Sequence, residues 1–151
     1  MREGLRLKGH WTIEIREHGK LVCTIEMDNQ LTNAYKNSVL NQLKGNSFDS
    51  LDILYLAVGT GSTEAQATDT QLVSELYRGV PTQKTLVTDY VQTIWVLSTD
   101  IANAHLREIG VFAGNATSTP NSGTMLSRIN IDIEKTQSME ITFIRKDYVT
   151  I

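Results

Sequence analysis

The sequence predicts a mainly β protein: an antiparallel β-sandwich or open barrel with one α-helix and a short second helical piece. Three observations predict it. Apolar and polar residues alternate over residues 11–15, 21–27 and 125–134, the period of two that marks a strand with one buried face. Residues 85–99 are rich in Thr, Val, Ile, Tyr and Trp, which suit a pleated surface. One clear stretch, residues 31–43, has apolar positions at spacings of three to five, as on one face of a helix.

The elements follow in chain order. Trp11, Ile13 and Ile15 define a first strand. Gly19, within Glu17-His18-Gly19-Lys20, readily takes positive φ and permits a tight turn. Leu21, Cys23, Ile25 and Met27 alternate on the return, so the first 27 residues read as a β-hairpin. Asp28 and Asn29 offer side-chain oxygens to cap a helix. Leu31, Ala34, Tyr35, Val39, Leu40 and Leu43 form its apolar face, and Gly45 ends it. Residues 46–50 are expected as a loop.

Residues 51–58 read as a short buried strand and 59–68 as a loop. Asp69 is placed to cap a helical piece over 70–77, which Gly79 and Pro81 then break. Residues 85–99 read as one long strand with Tyr90 and Trp95 on opposite faces. Such a strand is central, or turns one face to another subunit. After a turn at 100–104, residues 106–112 form a strand with a bulge expected at Gly110. The small-polar stretch 114–123 links a long hairpin. In the next strand Met125, Ser127, Ile129, Ile131 and Ile133 share one face; Leu126, Arg128, Asn130, Asp132 and Glu134 share the other. A turn at 135–138 leads to a last strand from Met139, Ile141 and Phe143 towards Ile151, tying the C-terminus into a sheet.

Composition bounds the function. The 151 residues fit one domain, and 40% apolar with 21% charged residues is ordinary for a globular chain. A formal charge of −3 with mixed signs lacks the clustered Lys and Arg that duplex nucleic acid selects, so no nucleic-acid partner is expected. No apolar run approaches the ~20 residues of a membrane-spanning helix, and the N-terminus lacks the apolar core of a signal peptide. Synthesis and folding in a cytoplasm are expected. Cys23 is the sole cysteine and lies in an alternating apolar run, so it reads as a buried, inert thiol.

Candidate chemistry is sparse. Gly59-Thr60-Gly61-Ser62-Thr63 resembles a phosphate loop, but no Lys follows and Glu64 would repel phosphate. His10, His18 and His105 make no helical ligand pair; His10 and His18 are within reach only across the first hairpin, and two ligands rarely make a metal site. The carboxylates Glu14, Glu26, Asp49, Asp52, Asp89, Asp100, Glu108, Asp132 and Glu134 mostly stand opposite apolar positions, where a solvated face is the default. Trp11, Trp95, Tyr35, Tyr55, Tyr77, Tyr90 and Tyr148 sit in apolar patterns and read as core or subunit-interface residues. No Gly-x-Ser-x-Gly elbow is present. The reading is therefore no catalytic residue, no cofactor-binding residue and no metal ligand.

Four segments carry a resemblance: 58–61 (Val-Gly-Thr-Gly), 67–78 (Ala67 through Thr68-Asp69-Thr70 and Glu75-Leu76 to Arg78), 108–112 (Glu-Ile-Gly-Val-Phe) and 123–128 (Gly-Thr-Met-Leu-Ser-Arg). Together they resemble a class of small structural proteins of tailed bacteriophages, found among tail, baseplate and fibre components. The similarity spans about residues 51–144. It implies a non-enzymatic virion protein of the tail or tail tip, working as a homo-oligomer, a trimer first and a hexamer next, beside other tail proteins. A carbohydrate- or receptor-binding tail module for a host surface glycan and a head-decoration protein are the alternatives. The resemblance gives Asp69 a capping role, Leu72 and Leu76 the docking of a short helix, and Arg78 and Arg128 the bridging of acids or subunits. Within the single domain 1–151 that the length predicts, the hairpin and helix of 1–45 lie outside the resemblance and are expected as an assembly-specific addition, with 51–151 the phage module.

Overall fold

A computed structural model of the protein describes residues 4–45 and 50–151. The loop expected at 46–50 and the carboxylate Asp49 fall outside these residues, apart from Ser50. Among the described residues, nine strands and one helix follow in chain order: β1 (Arg6–Glu17), β2 (Lys20–Asp28), α1 (Asn33–Lys44), β3 (Tyr55–Gly59), β4 (Glu75–Gly79), β5 (Gln83–Val87), β6 (Tyr90–Leu97), β7 (His105–Ala113), β8 (Thr124–Glu134) and β9 (Met139–Thr150). The fold class is as read from the sequence: mainly β, antiparallel, with one helix. The strands form two open sheets.

Two compact units divide the chain, and neither is continuous in sequence. One comprises the described residues of Met1–Asn29, Pro81–Ile101 and Gln137–Ile151. It holds the five-stranded sheet in the order β2-β1-β9-β6-β5. Its buried face carries Trp11, Ile13, Ile15, Trp95, Leu97, Ile141 and Phe143. Trp11 meets Phe143 edge-on at 6.3 Å between centroids, and Trp95 lies 5.4 Å from the same ring. The β1–β2 turn is the two-residue His18-Gly19, both at positive φ (49° and 81°), as the mirror-image hairpin turn requires.

The other unit comprises the described residues of Gln30–Val80 and Ala102–Thr136, with the sheet order β4-β3-β7-β8. Ala57, Leu72, Phe112, Ala116 and Met125 cluster at its core. Strand β8 is buried on both faces from Met125 to Ile129, so its clean alternation marks one buried face only from Asn130 onward. The N-terminal hairpin and α1, adjacent in sequence, fall in different units.

Five local expectations are corrected. The helical piece over 70–77 is not formed: Glu75–Gly79 is strand β4, paired with β3. Its buried positions are Leu72 and Arg78, while Leu76 points outward at 47% exposure, so the docking pair is split. The run 85–99 is two strands folded at Thr88-Asp89, because a turn of two polar residues lets both halves share one sheet. The helix cap is Thr32, not Asp28 or Asn29: its Oγ1 accepts from Tyr35 N, while its own hydroxyl donates to Met125 O at 2.6 Å. No bulge falls on Gly110: the register shifts of the β7–β8 pair lie between Leu106 and Glu108 and between Val111 and Phe112, with the extra residue on β8 each time. Gly110 is required by close approach, since a Cβ there would meet Leu72 Cδ2 at 2.9 Å. Cys23 is exposed, because β2 is an edge strand with nothing beyond it among the described residues.

Candidate functional site: a buried glutamate–arginine staple

The centre of β7 places Glu108 at 0% exposure, one residue from each neighbouring strand: Gly59 on β3 and Asn130 on β8. Its carboxylate accepts four hydrogen bonds. Gly61 N and Ser74 N each donate to Oε2 at 2.8 Å; Val73 N donates to Oε1 at 2.8 Å and Arg128 Nε at 3.0 Å. A carboxylate offers about four lone-pair sites, so this one is saturated. Charge-assisted bonds of this kind are roughly twice as strong as neutral ones.

Arg128 is also fully buried and completes the staple. Beyond Glu108 it donates from Nη1 to Asp69 Oδ2 at 3.1 Å and from Nη2 to Thr63 O at 2.7 Å. Asn130 reinforces the same turn, donating to Thr63 O at 2.9 Å and accepting from Ala65 N at 2.7 Å. Asp69 Oδ2 accepts from Gln66 N at 2.9 Å. Asp69 thus closes a turn at 66–69 and holds Arg128; it caps no helix. The two glycines of Gly59-Thr60-Gly61 make room for the carboxylate. A Cβ at Gly59 would lie 2.6 Å from Glu108 Oε2 and clash with Ser74 O; one at Gly61 would lie 2.5 Å from the same oxygen. The loop that imitates a phosphate cradle therefore wraps an internal anion.

A second arginine pins the other loop. Arg78 grips Glu75 with two bonds, Nε to Oε2 at 2.8 Å and Nη2 to Oε1 at 2.7 Å. Its Nη1 donates to Thr117 O and Ser122 O at 3.0 and 3.1 Å, inside the β7–β8 connection. The guanidinium carbon stands 4.4 Å from the Phe112 ring centroid and 5.7 Å from that of Tyr55. Arg128 bridges two acids, while Arg78 ties one acid to loop carbonyls. The solvated face expected for Glu108 is overturned: the 59–74 segment folds over that side of β7, and its backbone amides meet the carboxylate.

The histidines make other contacts. His10 contacts Glu26 through Nε2 and Asp28 through Nδ1 at 3.5 Å, across β1 and β2. His18 sits in the turn at the opposite end of that hairpin, so the two do not meet. His105 contacts Asp132 through Nε2 and Glu134 through Nδ1 at 3.3 Å. The hydrogen bond from His10, and then that from Thr12, hold the Glu26 carboxyl below the usual carboxylate range. Among the described residues, no group of three or more His, Cys, Asp and Glu is arranged to hold a metal ion, and no helix is long and apolar enough to cross a membrane.

Arg145 is a third buried arginine and had no signal in the sequence. It pairs with Asp147 at 2.7 and 2.8 Å and lies 5.2 Å from the Trp11 ring centroid. Compared with protein-family models, with curated proteins and with solved structures, the chain gives no match.

Proposed function

We propose that the chain is a non-enzymatic structural protein of a tailed-phage virion, a tail or tail-tip component that works as a symmetric homo-oligomer beside other tail proteins. It would be made in the host cytoplasm and end in the virion tail. The observation that carries this reading is the convergence of all four resembling segments on shared buried contacts. Gly59 and Gly61, Asp69 to Ser74, Glu108 and Arg128 meet in one network, and Arg78 packs on Phe112. Segments up to 59 residues apart act as one device for pinning loops, and that supports reading them as one module.

Assembly is supported by apolar side chains on the sheet edges: Leu21 and Val22 on β2 are 52% and 55% exposed, and Leu86 on β5 is 76% exposed. Burying such edges between copies is the working mechanism, and obligate interfaces of this kind often exceed ~2,000 Å². A trimer is the first expectation and a hexamer the next. Light scattering of the purified protein at micromolar concentration is expected to show a closed oligomer; monomer alone would refute the reading. Immunogold labelling of particles separates tail from head decoration.

One observation favours receptor binding as the second reading. The loops 59–68 and 114–123 contain no aromatic residue. Tyr90 and Tyr148, however, form a half-buried pair with centroids 4.9 Å apart, and Lys146 Nζ stands 5.1 Å over the Tyr90 ring. A sugar ring stacks on such a surface. Glycan-array binding lost in Tyr90→Ala would establish that reading.

A further inference from the structure

Strand β2 ends the five-stranded sheet and, among the described residues, pairs with β1 alone. It is nine residues long, mostly exposed, and contains no proline. Natural edge strands are normally kept short or blocked by proline, bulges or inward charges, because a row of free N–H and C=O groups accepts another strand. The register with β1 sets Cys23, Ile25 and Met27 opposite Ile15, Ile13 and Trp11, all three buried. The apolar face of the sheet thus runs onto β2 and stops at the rim.

The strand is also suited to pair with itself. Cys23 stands opposite Ile15 and Leu21 opposite Arg16, so Val22 is the extra residue of a bulge. The regular stretch is therefore 23–28, and Ile25 is the apolar residue nearest its middle. We propose that a second copy of this chain adds to β2 in antiparallel register about a twofold axis at Ile25. That register sets Ile25 on its counterpart, Cys23 on Met27 and Thr24 on Glu26. The apolar face then continues unbroken from one sheet into the next. Charge selects the direction. Lys20 begins the strand and Glu26 and Asp28 end it, so antiparallel copies bring the basic end to the acidic end, whereas parallel copies stack like on like. Opposite charges across strands stabilise and like charges destabilise the pair.

This seam rests on the homo-oligomer reading and, within it, selects an even-numbered assembly over the trimer. A twofold contact is isologous and yields a dimer, or a hexamer containing three such seams, but not a trimer alone. Three measurements test it. Light scattering of the wild-type protein is expected to give an even-numbered mass. Ile25→Lys, with unchanged far-ultraviolet circular dichroism, is expected to raise the dissociation constant at least about tenfold, since an inward charge blocks an edge. In a Cys23→Ser background, Ile25→Cys is expected to form an intermolecular disulfide under mild oxidation, whereas Leu86→Cys on β5, the sheet's other edge, is not. Wild-type protein that is only monomeric overturns both the seam and the homo-oligomer reading. A trimer by mass overturns the seam alone. So does an assembly indifferent to Ile25→Lys and uncrosslinked at Ile25→Cys, and so does crosslinking at Leu86→Cys instead.

Discussion

At the scale of single residues, Glu108 decides most. Its carboxylate, fully buried, is the acceptor for three backbone amides of the 59–74 segment and for Arg128. Glu108→Gln replaces an acceptor by an amide that directs N–H groups at other N–H groups and leaves Arg128 buried beside a neutral partner. Breaking one side of a buried ion pair costs about 3–5 kcal/mol, so urea denaturation of Glu108→Gln is expected to show a loss of that order. Gly61→Ala places a methyl 2.5 Å from the same carboxylate oxygen, and overpacking of this kind costs about 1–3 kcal/mol. Glu26 bears on acid behaviour. Its pKa is lowered by the His10 and Thr12 hydrogen bonds, so what stability it contributes is present above the ordinary carboxylate pKa and is lost as pH falls through the folded value. In an NMR titration, His10→Asn is expected to raise the Glu26 pKa towards its ordinary value. Arg78 and Arg128 were expected to bridge acids or subunits, whereas Asp69 was expected to cap a helix and instead holds Arg128. The role of Glu108 was not legible, because strand periodicity tells which residues share a face but not what covers that face.

At the scale of elements, helix α1 shows how capping and burial part company. Thr32 accepts from Tyr35 N and donates to Met125 O on β8, so one hydroxyl fixes both the start of the helix and its attachment. Only Ser38 is buried along the helix, while Leu40 and Leu43 are 55% and 79% exposed. Polar anchoring therefore matters more here than an apolar stripe. Thr32→Ala is expected to cost about 1–2 kcal/mol and Thr32→Ser much less, as read by urea midpoints. The β5–β6 turn offers the opposite sign. Thr88 is an exposed β-branched residue at φ 38°, a region that Asn tolerates better. Thr88→Asn is expected to stabilise by about 0.5–1 kcal/mol, a rise of a few degrees in Tm. Strand identity was legible where alternation was long, in β1, β8 and β9. It failed at 70–79, where Leu72, Leu76 and Arg78 fit either period and pairing with β3 decided for a strand.

At the scale of the whole molecule, chain order and spatial order diverge. Strand β9 lies between β1 and β6, pairing Arg6 with Thr150 and Tyr90 with Tyr148. Closing so long a loop comes before any reward from pairing, and folds rich in such contacts fold in about milliseconds to seconds. A chain ending at Gln137 loses the middle strand of the five-stranded sheet, and is expected to lose its cooperative thermal transition by circular dichroism.

The sequence by itself determined the fold class, most strand positions, the hairpin turn at Gly19 and the helix end at Gly45, because these follow from local periodicity and backbone freedom. Tertiary structure alone decided that β2 is an edge with Cys23 exposed, that residues 75–79 are a strand, and that Glu108 and Arg128 are buried together. The reason is physical: burial and hydrogen-bond satisfaction are set by neighbours tens of residues away, and no local pattern records which neighbour arrives.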